Sequence, residues 1–365
     1  MCMMSERRIC SGSEPPDFVM CRPIRNLELD PPVDGESCEG YRFPGIVDLH
    51  VHGGFEWDFS YGDPDRIEKM LDSFLRKGLT AVMPTLITCS EEQRMKAIGD
   101  IVTVASRRTR PPSLLGISLE GPFISASRRG SHEERFLTAP NIEMLERWQE
   151  KARGMIRRLT LAPELTGAID FIAKAMELKV RVSIGHTDAD HETTLRAFKA
   201  GAQNITHLFN AMRPFSHRDP TCVSAVFDYR NVFVELIADG IHVFPDIVRM
   251  TFSILGSDRI SLVSDCVLPT GLSDGLHQAY GRELELRGGR CTIAGGHLFG
   301  GGMTLPDCFQ VMHEKARIPL KALCECVSVN PCRAAGVDPP REDVILDKQF
   351  NWIATRLRDT WYWPQ

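Results

Sequence analysis

Short runs of β-branched and other apolar residues recur along the chain, and each run ends in a polar or glycine-rich stretch. Stretches with helical periodicity separate many of these runs. This alternation is typical of a parallel sheet built from βα units. Eight β runs are predicted, at residues 46–51, 80–85, 114–120, 158–162, 180–185, 204–207, 232–238 and 259–264. Helices are predicted at residues 65–77, 142–151, 169–178, 191–200 and 244–255.

The number of β runs indicates the architecture. Eight runs with intervening helices favour a closed α/β barrel, the (β/α)₈ or TIM barrel, over an open sheet. The chain has 365 residues, and such a barrel with additions occupies ~250 residues or more as a single domain. We therefore predict one barrel domain over residues 44–336, flanked by two shorter terminal segments.

The terminal segments and one insertion differ from the barrel in pattern. Residues 1–43 are rich in Pro, Gly and acidic residues without clear strand alternation, so we expect them to be partly disordered. Residues 337–365 contain runs at 343–346 and 352–363 that can form short closing strands. A β-hairpin insertion is predicted near 281–299, because an Arg-Gly-Gly-Arg turn divides a polar β stretch there.

Polar side chains lie where the predicted strands end, which is where barrel enzymes carry their catalytic groups. Glu120 ends the third run, His186 follows the fifth and His207 ends the sixth. A carboxylate and two imidazoles from separate strands can bind one divalent ion and leave coordination positions for water and substrate. Each residue alone could be an ordinary polar group at a barrel rim, but their shared position predicts a metal site.

The first and last runs add three further candidates. His50 and His52 lie two residues apart on one strand, so their side chains face the same way. Such a pair can chelate a second ion with Glu120 as the bridge; alternatively one ion binds and both imidazoles line the pocket. Asp265 follows the eighth run, where it can act as a general base toward water and return the proton to a leaving amine. It can also serve as a metal ligand.

Composition narrows the classes of partner. The net charge is -5, which provides no basic surface for nucleic acid or anionic lipid. The sequence has neither an apolar run long enough to span a bilayer nor a signal-peptide core at its start. The 12 cysteines include no C-x₂-C pair and are expected to be reduced thiols. We therefore expect a cytoplasmic protein that acts on a small anion.

Loops beyond the sixth and seventh runs offer contacts for such an anion. Asn210, His242 and the segment 213–218 lie there. Arg218 is the preferred phosphate contact because its planar guanidinium can donate two hydrogen bonds; the alternative is a surface Arg paired with Asp219. A triple-glycine run at 300–302 lacks the Lys-Ser/Thr of a Walker A motif and offers only backbone contacts.

These motifs resemble the N-acetylglucosamine-6-phosphate deacetylases of the amidohydrolase superfamily, most nearly the animal-type enzymes. The similar segments follow the family's order over residues 44–336. They are PGIVDLHVHGG (44–54), LEGPFIS (119–125), GSH (130–132), LAPE (161–164), GHT (185–187), ITHLFNAM (205–212), HRDP (217–220), IADGIH (237–242) and LVSD (262–265).

The resemblance implies hydrolysis of the acetamido group of N-acetylglucosamine 6-phosphate to glucosamine 6-phosphate and acetate. It implies Glu120, His186 and His207 as metal ligands and Asp265 as the catalytic acid and base. The implied substrate contacts are Ser131, His132, Asn210, Ala211, Arg218, Asp239, Gly240, Ile241, His242, Phe299, Gly300 and Gly301. Zn²⁺ is the first choice of ion, although Fe²⁺, Co²⁺ and Mn²⁺ also suit these ligands. A homodimer is expected.

The chain departs from the family pattern in three places. The family builds a small β-sandwich from its terminal segments, whereas this chain has a short N-terminal segment and a Pro-Pro stretch at 338–342; residues 1–43 are therefore expected to be either partly disordered or a remnant of that sandwich. Gly300 stands where the family has a loop serine. His50 and His52 are typical of two-metal bacterial members, so one or two ions are expected. Two alternative functions stay open: another metal-dependent amidohydrolase acting on a small amide, and a non-catalytic sugar-phosphate-binding paralogue.

Overall fold

Eight parallel strands form the centre of the protein in a computed structural model, which describes residues 22–27, 38–293, 296–339 and 342–363. Each strand pairs with the next along the chain. The eight strands are Val47–Val51, Ala81–Leu86, Ile117–Glu120, Ile156–Leu161, Arg181–Ile184, Asn204–Ile205, Phe233–Ile237 and Ile260–Val263. Each overlaps a predicted β run, and the predicted barrel is confirmed.

The eighth strand meets the first just beyond their carboxyl ends. The backbone N–H of Asp265 donates to the carbonyl of His50 at 3.0 Å, and the N–H of His52 donates to the carbonyl of Cys266 at 3.0 Å. These bonds close the barrel at the rim that carries the predicted metal ligands. The ends of the first and eighth strands are therefore fixed relative to each other.

Helices cover the outside of the barrel. Those between the strands are Pro64–Leu75, Glu91–Arg107, Ile142–Lys151, Ala168–Glu177, His191–Ala200, Cys222–Asp228 and Pro245–Leu255. The C-terminal helical part consists of Leu320–Cys324, a π-helical turn at Glu325–Val329 and Asn330–Ala335. In the part of the chain that the structure describes, every helix is too short or too polar to cross a membrane.

The helices pack on the barrel through aromatic and aliphatic side chains. Phe123, at the end of the third strand, stacks on Trp148 with ring centroids 5.7 Å apart and meets Phe171 edge-on at 5.1 Å. All three side chains are buried. Burying an apolar side chain of this size contributes ~1.5–3 kcal/mol relative to leaving it exposed. Such contacts fix each helix against its strand and so hold the loops at the barrel rim.

The two terminal segments meet in one antiparallel sheet. Its strands are Arg22–Leu27, Cys38–Phe43, Glu342–Asp347, Trp352–Leu357 and Thr360–Tyr362. Two of these strands lie within residues 1–43, although the sequence there shows no clear alternation. The expected disorder falls on residues 1–21 and 28–37, which lie outside the described residues. Phe43, Val344 and Leu346 join the same buried cluster as the barrel side chains.

A four-stranded antiparallel sheet follows the eighth barrel strand, where a hairpin was predicted. Its strands are Gly275–Ala279, Arg282–Arg287, Arg290–Ile293 and Leu298–Gly301. The central turn is formed by Gly288 and Gly289, whose φ angles of 55° and 80° are typical of the type I′ turns that join tight hairpins. We call this element the insertion sheet. Its last strand lies directly beside Asp265.

Candidate metal centre

The carboxylate of Glu120 lies at the centre of a cluster of imidazoles. Its Oε1 atom is 2.8 Å from Nε2 of His207 and 3.1 Å from Nε2 of His186. Its Oε2 atom is 3.0 Å from Nε2 of His52 and 3.3 Å from Nε2 of His132. All five residues are buried. Residues from separate strands and loops thus direct their ligand atoms at one carboxylate.

Asp265 completes a second group with the His-x-His pair. Its Oδ1 atom lies 3.4 Å from Nε2 of His50 and 3.3 Å from Nε2 of His52. The ligand atoms of these three residues lie within 4.8 Å of one another, as do those of Glu120, His132 and His186. The described residues therefore contain two adjoining groups that can hold a metal ion.

The proton positions on the imidazoles favour a cation between them. Nδ1 of His52 lies 3.1 Å from the carbonyl oxygen of Thr85, and Nδ1 of His186 lies 2.9 Å from that of Arg128. A carbonyl only accepts, so each ring carries a proton on Nδ1, which leaves Nε2 as the nitrogen that can face a cation in the cluster. Nε2 of His186 is 3.2 Å from Nε2 of His207, so a positive charge, either a proton or a metal ion, is needed between these two nitrogens. This donor set fits a divalent ion.

Both carboxylates of the cluster are ionised near neutral pH. Burial alone would raise the pKa of Glu120, but the charges of His50 and His186 hold that pKa well below its usual range. Burial also acts to raise the pKa of Asp265, whereas the charge of His50 and a hydrogen bond from His52 lower it to about 2. An ionised Asp265 can bind a cation or accept a proton.

Three of the candidate residues have an unusual backbone conformation. The φ angles of His186, His207 and Asp265 are 47°, 29° and 53°, in a region that residues other than glycine rarely adopt. Each costs on the order of 1–3 kcal/mol and persists only where the surrounding structure imposes it. All three follow the carboxyl end of a barrel strand, so the same bend turns each side chain into the cluster.

Asp239 and His242 form a second ionisable pair in the turn after the seventh strand. Oδ2 of Asp239 lies 2.6 Å from Nδ1 of His242, and Oδ1 accepts the backbone N–H groups of Ile241 and His242 at 2.8 and 2.9 Å. Gly240 has a φ of 70° within this turn. Burial lowers the pKa of His242, but the hydrogen bond and charge of Asp239 outweigh burial and raise it. The turn therefore presents an imidazole that readily carries two protons.

Residues 41–340 match the amidohydrolase family. The chain belongs to this family. Members depend on metal, in agreement with the two groups of ligand atoms found here.

Known amidohydrolases resemble this chain over most of its length. N-acetylglucosamine-6-phosphate deacetylase of Bos taurus is 32% identical over 340 residues, which cover 88% of this chain and 83% of the bovine protein. N-acetylgalactosamine-6-phosphate deacetylase of Escherichia coli O157:H7 is 30% identical over 295 residues, covering 81% and 78%. A variant N-acetyl-D-glucosamine-6-phosphate deacetylase from Mycobacterium smegmatis, solved with N-acetyl-D-glucosamine-6-phosphate, superposes with a TM-score of 0.83 at 30% identity, covering 88% and 86%.

In this amidohydrolase the insertion sheet connects Asp265 to another predicted substrate loop. The N–H of Gly301 donates to the carbonyl of Asp265 at 2.7 Å. The hydroxyl of Ser131 donates to the carbonyl of Leu298 at 3.3 Å. Phe299 is buried between these contacts and packs on other residues of the insertion sheet. Two predicted substrate-binding segments, one around Ser131 and one at residues 299–301, therefore meet beside the metal groups.

Gly300 occupies a position with little room for a side chain. Its φ is 136°, and a Cβ atom there would lie 2.7 Å from Cγ1 of Val267 and 3.0 Å from the carbonyl oxygen of Asp265. A serine, as in the family pattern, would require this loop to shift. The departure seen in the sequence therefore has a local structural reason in this amidohydrolase.

The loop after the sixth strand carries the remaining predicted contacts. The side-chain amide of Asn210 donates to two backbone carbonyls of this loop at 3.4 and 3.3 Å. Ala211 has a φ of 50°. Arg218 is exposed, and the ion pair seen at Asp219 is with the guanidinium of Arg213. That Arg218 binds phosphate stays a prediction.

Two buried charged residues near the metal groups were not predicted. Glu235 lies inside the seventh strand and Arg158 inside the fourth, and they form an ion pair. Glu235 also contacts Nδ1 of His50 at 3.1 Å. A signal was present in the sequence, since Glu235 interrupts the apolar run Phe-Val-Glu-Leu-Ile, and a charge in a fully buried strand needs a partner.

Proposed function

We propose that this amidohydrolase hydrolyses the acetamido group of N-acetylglucosamine 6-phosphate, releasing glucosamine 6-phosphate and acetate. The observation that carries the proposal is the cluster around Glu120, in which imidazoles and carboxylates from five barrel strands meet beside the Asp239–His242 turn. The bovine and mycobacterial relatives, which bear the name of this activity, support the choice of substrate.

The metal ligands are assigned within this proposal. Glu120, His186 and His207 would hold one divalent ion, since both imidazoles contact Oε1 of Glu120. His50 and His52, which contact Glu120 and Asp265, would hold a second ion. A bound ion supplies Lewis-acid activation of the amide carbonyl and of water. Nitrogen and carboxylate donors suit Zn²⁺ first, and Fe²⁺, Co²⁺ and Mn²⁺ as alternatives.

Proton transfer is assigned to Asp265. Its pKa lies below the usual range, so the carboxylate is ionised at neutral pH and can accept the proton of the attacking water. The same group then donates that proton to the amine nitrogen as the carbon–nitrogen bond breaks. Since Nδ1 of His242 is bound to Asp239, Nε2 of His242 is the atom that donates to the developing oxyanion.

Substrate binding is assigned to the loops around these groups. We place the sugar against Ser131, His132 and the residues 299–301, whose contacts surround Asp265. The phosphate is assigned to the backbone of Asn210 and Ala211 and to Arg218. Arg218 suits this role because it is exposed and not paired with Asp219, so its guanidinium can donate two parallel hydrogen bonds to phosphate.

The proposal is tested by acetate release from N-acetylglucosamine 6-phosphate. Protein stripped with a chelator and reloaded with Zn²⁺, Mn²⁺, Co²⁺ or Fe²⁺ is compared with Asp265→Asn loaded in the same way. We expect activity only in loaded protein and a fall in kcat of about 10²–10⁴-fold in the variant. Metal binding without acetate release would disprove deacetylation and favour another amide or a non-catalytic role.

The configuration of the sugar at C4 needs a separate comparison. The relative from Escherichia coli O157:H7 is named for the galactosamine epimer at an identity similar to that of the bovine protein. We propose N-acetylglucosamine 6-phosphate as the preferred substrate, so its kcat/KM should exceed that of N-acetylgalactosamine 6-phosphate. The reverse order would change the assigned substrate and leave the reaction unchanged.

We also propose that the protein is a homodimer. The helix Pro245–Leu255 and the residue before it expose Phe244, Ile247, Met250 and Ile254, which recur at the three- and four-residue spacing of one helical face. Such an apolar face is typical of a protein interface. Sedimentation should give a dimer for the wild type and a monomer for Met250→Lys, whereas a monomeric wild type would contradict the proposal.

The cytoplasm is the location that we propose. Within the part of the chain that the structure describes, eight cysteines are buried free thiols, and buried thiols suit a reducing compartment. Cell fractionation, with alkylation of thiols after denaturation, tests both statements together. Recovery in an oxidising compartment, or blocked thiols, would contradict them.

A further inference from the structure

An ion pair lies in the barrel interior next to the metal groups. Arg158 belongs to the strand Ile156–Leu161 and Glu235 to the strand Phe233–Ile237; their exposed fractions are 1% and 2%. Nη1 of Arg158 bonds Oε1 of Glu235. Removing two charges from water carries a large desolvation cost, and apolar residues of similar volume often stabilise a fold at least as well. Stability alone therefore does not account for this pair.

The second oxygen of Glu235 connects the two groups of candidate ligands. Oε2 lies 3.1 Å from Nδ1 of His50. The same oxygen accepts the backbone N–H of His207 at 3.3 Å. His50 belongs to the group with Asp265, whereas His207 contacts Glu120. One carboxylate thus contacts a ligand from each group.

The charge of Glu235 determines which nitrogen of His50 carries the proton. An ionised carboxylate has only acceptor atoms, so Nδ1 of His50 donates to Oε2 of Glu235, which is nearer than Nη2 of Arg158 at 3.4 Å. Nε2 of His50 then faces His52 and Asp265. With a neutral partner that can donate, the proton could move to Nε2 and block its lone pair. Arg158 also donates through Nε to Ser118 at 3.2 Å, which fixes its guanidinium and so holds Glu235.

We propose that Glu235 and Arg158 are positioning residues for the metal centre. Arg158 holds the Glu235 carboxylate in place; Glu235 sets the tautomer of His50 and fixes the backbone of His207. Metal affinity therefore depends on two residues that touch neither ion nor substrate. The inference rests on the proposed metal-dependent function and adds residues to it.

The direct test is Glu235→Gln, which preserves the size of the side chain. The amide has one acceptor oxygen and one donor nitrogen, so it cannot accept from both Arg158 and His50. Competition for Zn²⁺ with a chromophoric chelator should give an affinity about 10–100-fold weaker than that of the wild type, the usual effect of losing such an outer contact. Two-bond ¹H–¹⁵N spectra of the histidine rings should place the proton of His50 on Nδ1 in zinc-loaded wild type and, in a fraction of the molecules, on Nε2 instead in the variant.

A matched control removes a buried arginine elsewhere. Arg94 is 3% exposed, pairs with Glu91 at 3.5 Å and donates to the carbonyl of Cys89 at 3.3 Å. Arg94→Met should lower the unfolding temperature and leave zinc affinity at the wild-type value. An equal loss of affinity in this variant would mean that zinc affinity reports general destabilisation, and the proposal would be overturned.

A double variant separates positioning from stability if Glu235→Gln folds poorly. Arg158→Met combined with Glu235→Leu removes both charges together, which proteins often tolerate well. We expect this variant to fold and still to bind zinc at least 10-fold more weakly than the wild type. Wild-type zinc affinity in a folded Glu235→Gln or double variant would overturn the proposal. Because zinc affinity is measured without substrate, the test also gives an answer if the wild type binds zinc but releases no acetate.

Discussion

Asp48 is a fully buried carboxylate at the seam between the first and eighth strands. Its oxygens accept the backbone N–H of Ser264 at 3.3 Å and of His50 at 3.2 Å. Burial raises its pKa from 3.8 to about 6, although the hydrogen bonds from Ser264 act in the opposite direction. Above this pKa Asp48 is ionised, and its charge is less stable in the folded protein than in the hydrated unfolded chain.

The charge of Asp48 should be visible in the pH dependence of the unfolding free energy. Because the folded-state pKa is above the unfolded value, the folded protein holds the proton more tightly, and stability falls as pH rises from about 4 to 6. Relative to Asp48→Asn, the wild type should lose about 1 kcal/mol of unfolding free energy between pH 5 and pH 7. Urea titrations of both proteins, each with chelator, measure this difference. A difference that stays constant with pH would contradict the assigned pKa.

The Asp239–His242 pair leads to a second prediction about single residues. If doubly protonated His242 donates to the oxyanion, activity falls as pH rises through its pKa. Asp239→Asn removes the charge that raises that pKa, so the alkaline limb of kcat/KM should move down by about 1–3 pH units. His242→Gln, as control, should lack that limb. An unmoved limb in Asp239→Asn would exclude this role.

At the scale of elements, the insertion sheet positions the loop beside Asp265. Tyr280 packs on Phe299 with ring centroids 4.9 Å apart, and its hydroxyl donates to the buried carboxylate of Asp58. The N–H of Gly301 reaches the carbonyl of Asp265 at 2.7 Å. The sheet is thus attached both to the first barrel loop and to the candidate catalytic residue, so a change inside it should affect both folding and turnover.

Gly300→Ser tests this coupling. The left-handed backbone and the 2.7 Å approach to Val267 disfavour any side chain, so we expect a loss of about 1–3 kcal/mol in stability together with lower kcat. Gly281→Ser is the matched control: its φ of 69° is also positive, but no atom lies within 4 Å of its Cβ position. Equal effects in the two variants would show that backbone strain, rather than this contact, is responsible.

The elements differ in how far the sequence predicts them. The helix Ile142–Lys151 has the predicted bounds because its apolar stripe is regular. The helix Glu91–Arg107 was not predicted, although Ser90 caps it and two acidic residues follow. The strand Cys38–Phe43 reads Cys-Glu-Gly-Tyr-Arg-Phe, with little alternation; its pairing with a strand near the other end of the chain imposes the conformation.

The residues of the candidate site also differ in how far the sequence predicts their positions. Strand-end positions bring Glu120, His186 and His207 together as expected, because all barrel strands share one carboxyl rim. The contact of His132 with Glu120 and the pairing of Glu235 with Arg158 were not predicted. These contacts depend on loop geometry and on which interior side chains face each other, and neither has a periodic signal.

At the scale of the whole molecule, the metal groups connect five of the eight barrel strands. The proposed ligands lie at or just after the carboxyl ends of the first, third, fifth, sixth and eighth strands, as His50, Glu120, His186, His207 and Asp265. An ion bound by them joins distant parts of the chain and binds the folded state alone. Metal should therefore stabilise the whole barrel.

Removal of metal tests this. At a free Zn²⁺ concentration about 100 times the dissociation constant, the ion adds about 2.7 kcal/mol to the unfolding free energy. The unfolding temperature should then fall by several degrees with chelator and recover with Zn²⁺. Asp265→Ala combined with His186→Ala should unfold at the chelated temperature under both conditions. An unchanged wild-type temperature would contradict metal binding.

The terminal sheet has a consequence for biosynthesis. Arg42 and Asp343 make a paired contact of 2.8 and 2.6 Å across 301 residues of chain, and the strand Cys38–Phe43 has Glu342–Asp347 as a neighbour. At a translation rate of about 5–20 residues per second, the first strand leaves the ribosome roughly 15–60 seconds before this partner exists. During that time its unpaired edge is open to other chains. We therefore expect the nascent protein to bind chaperones that shield strand edges.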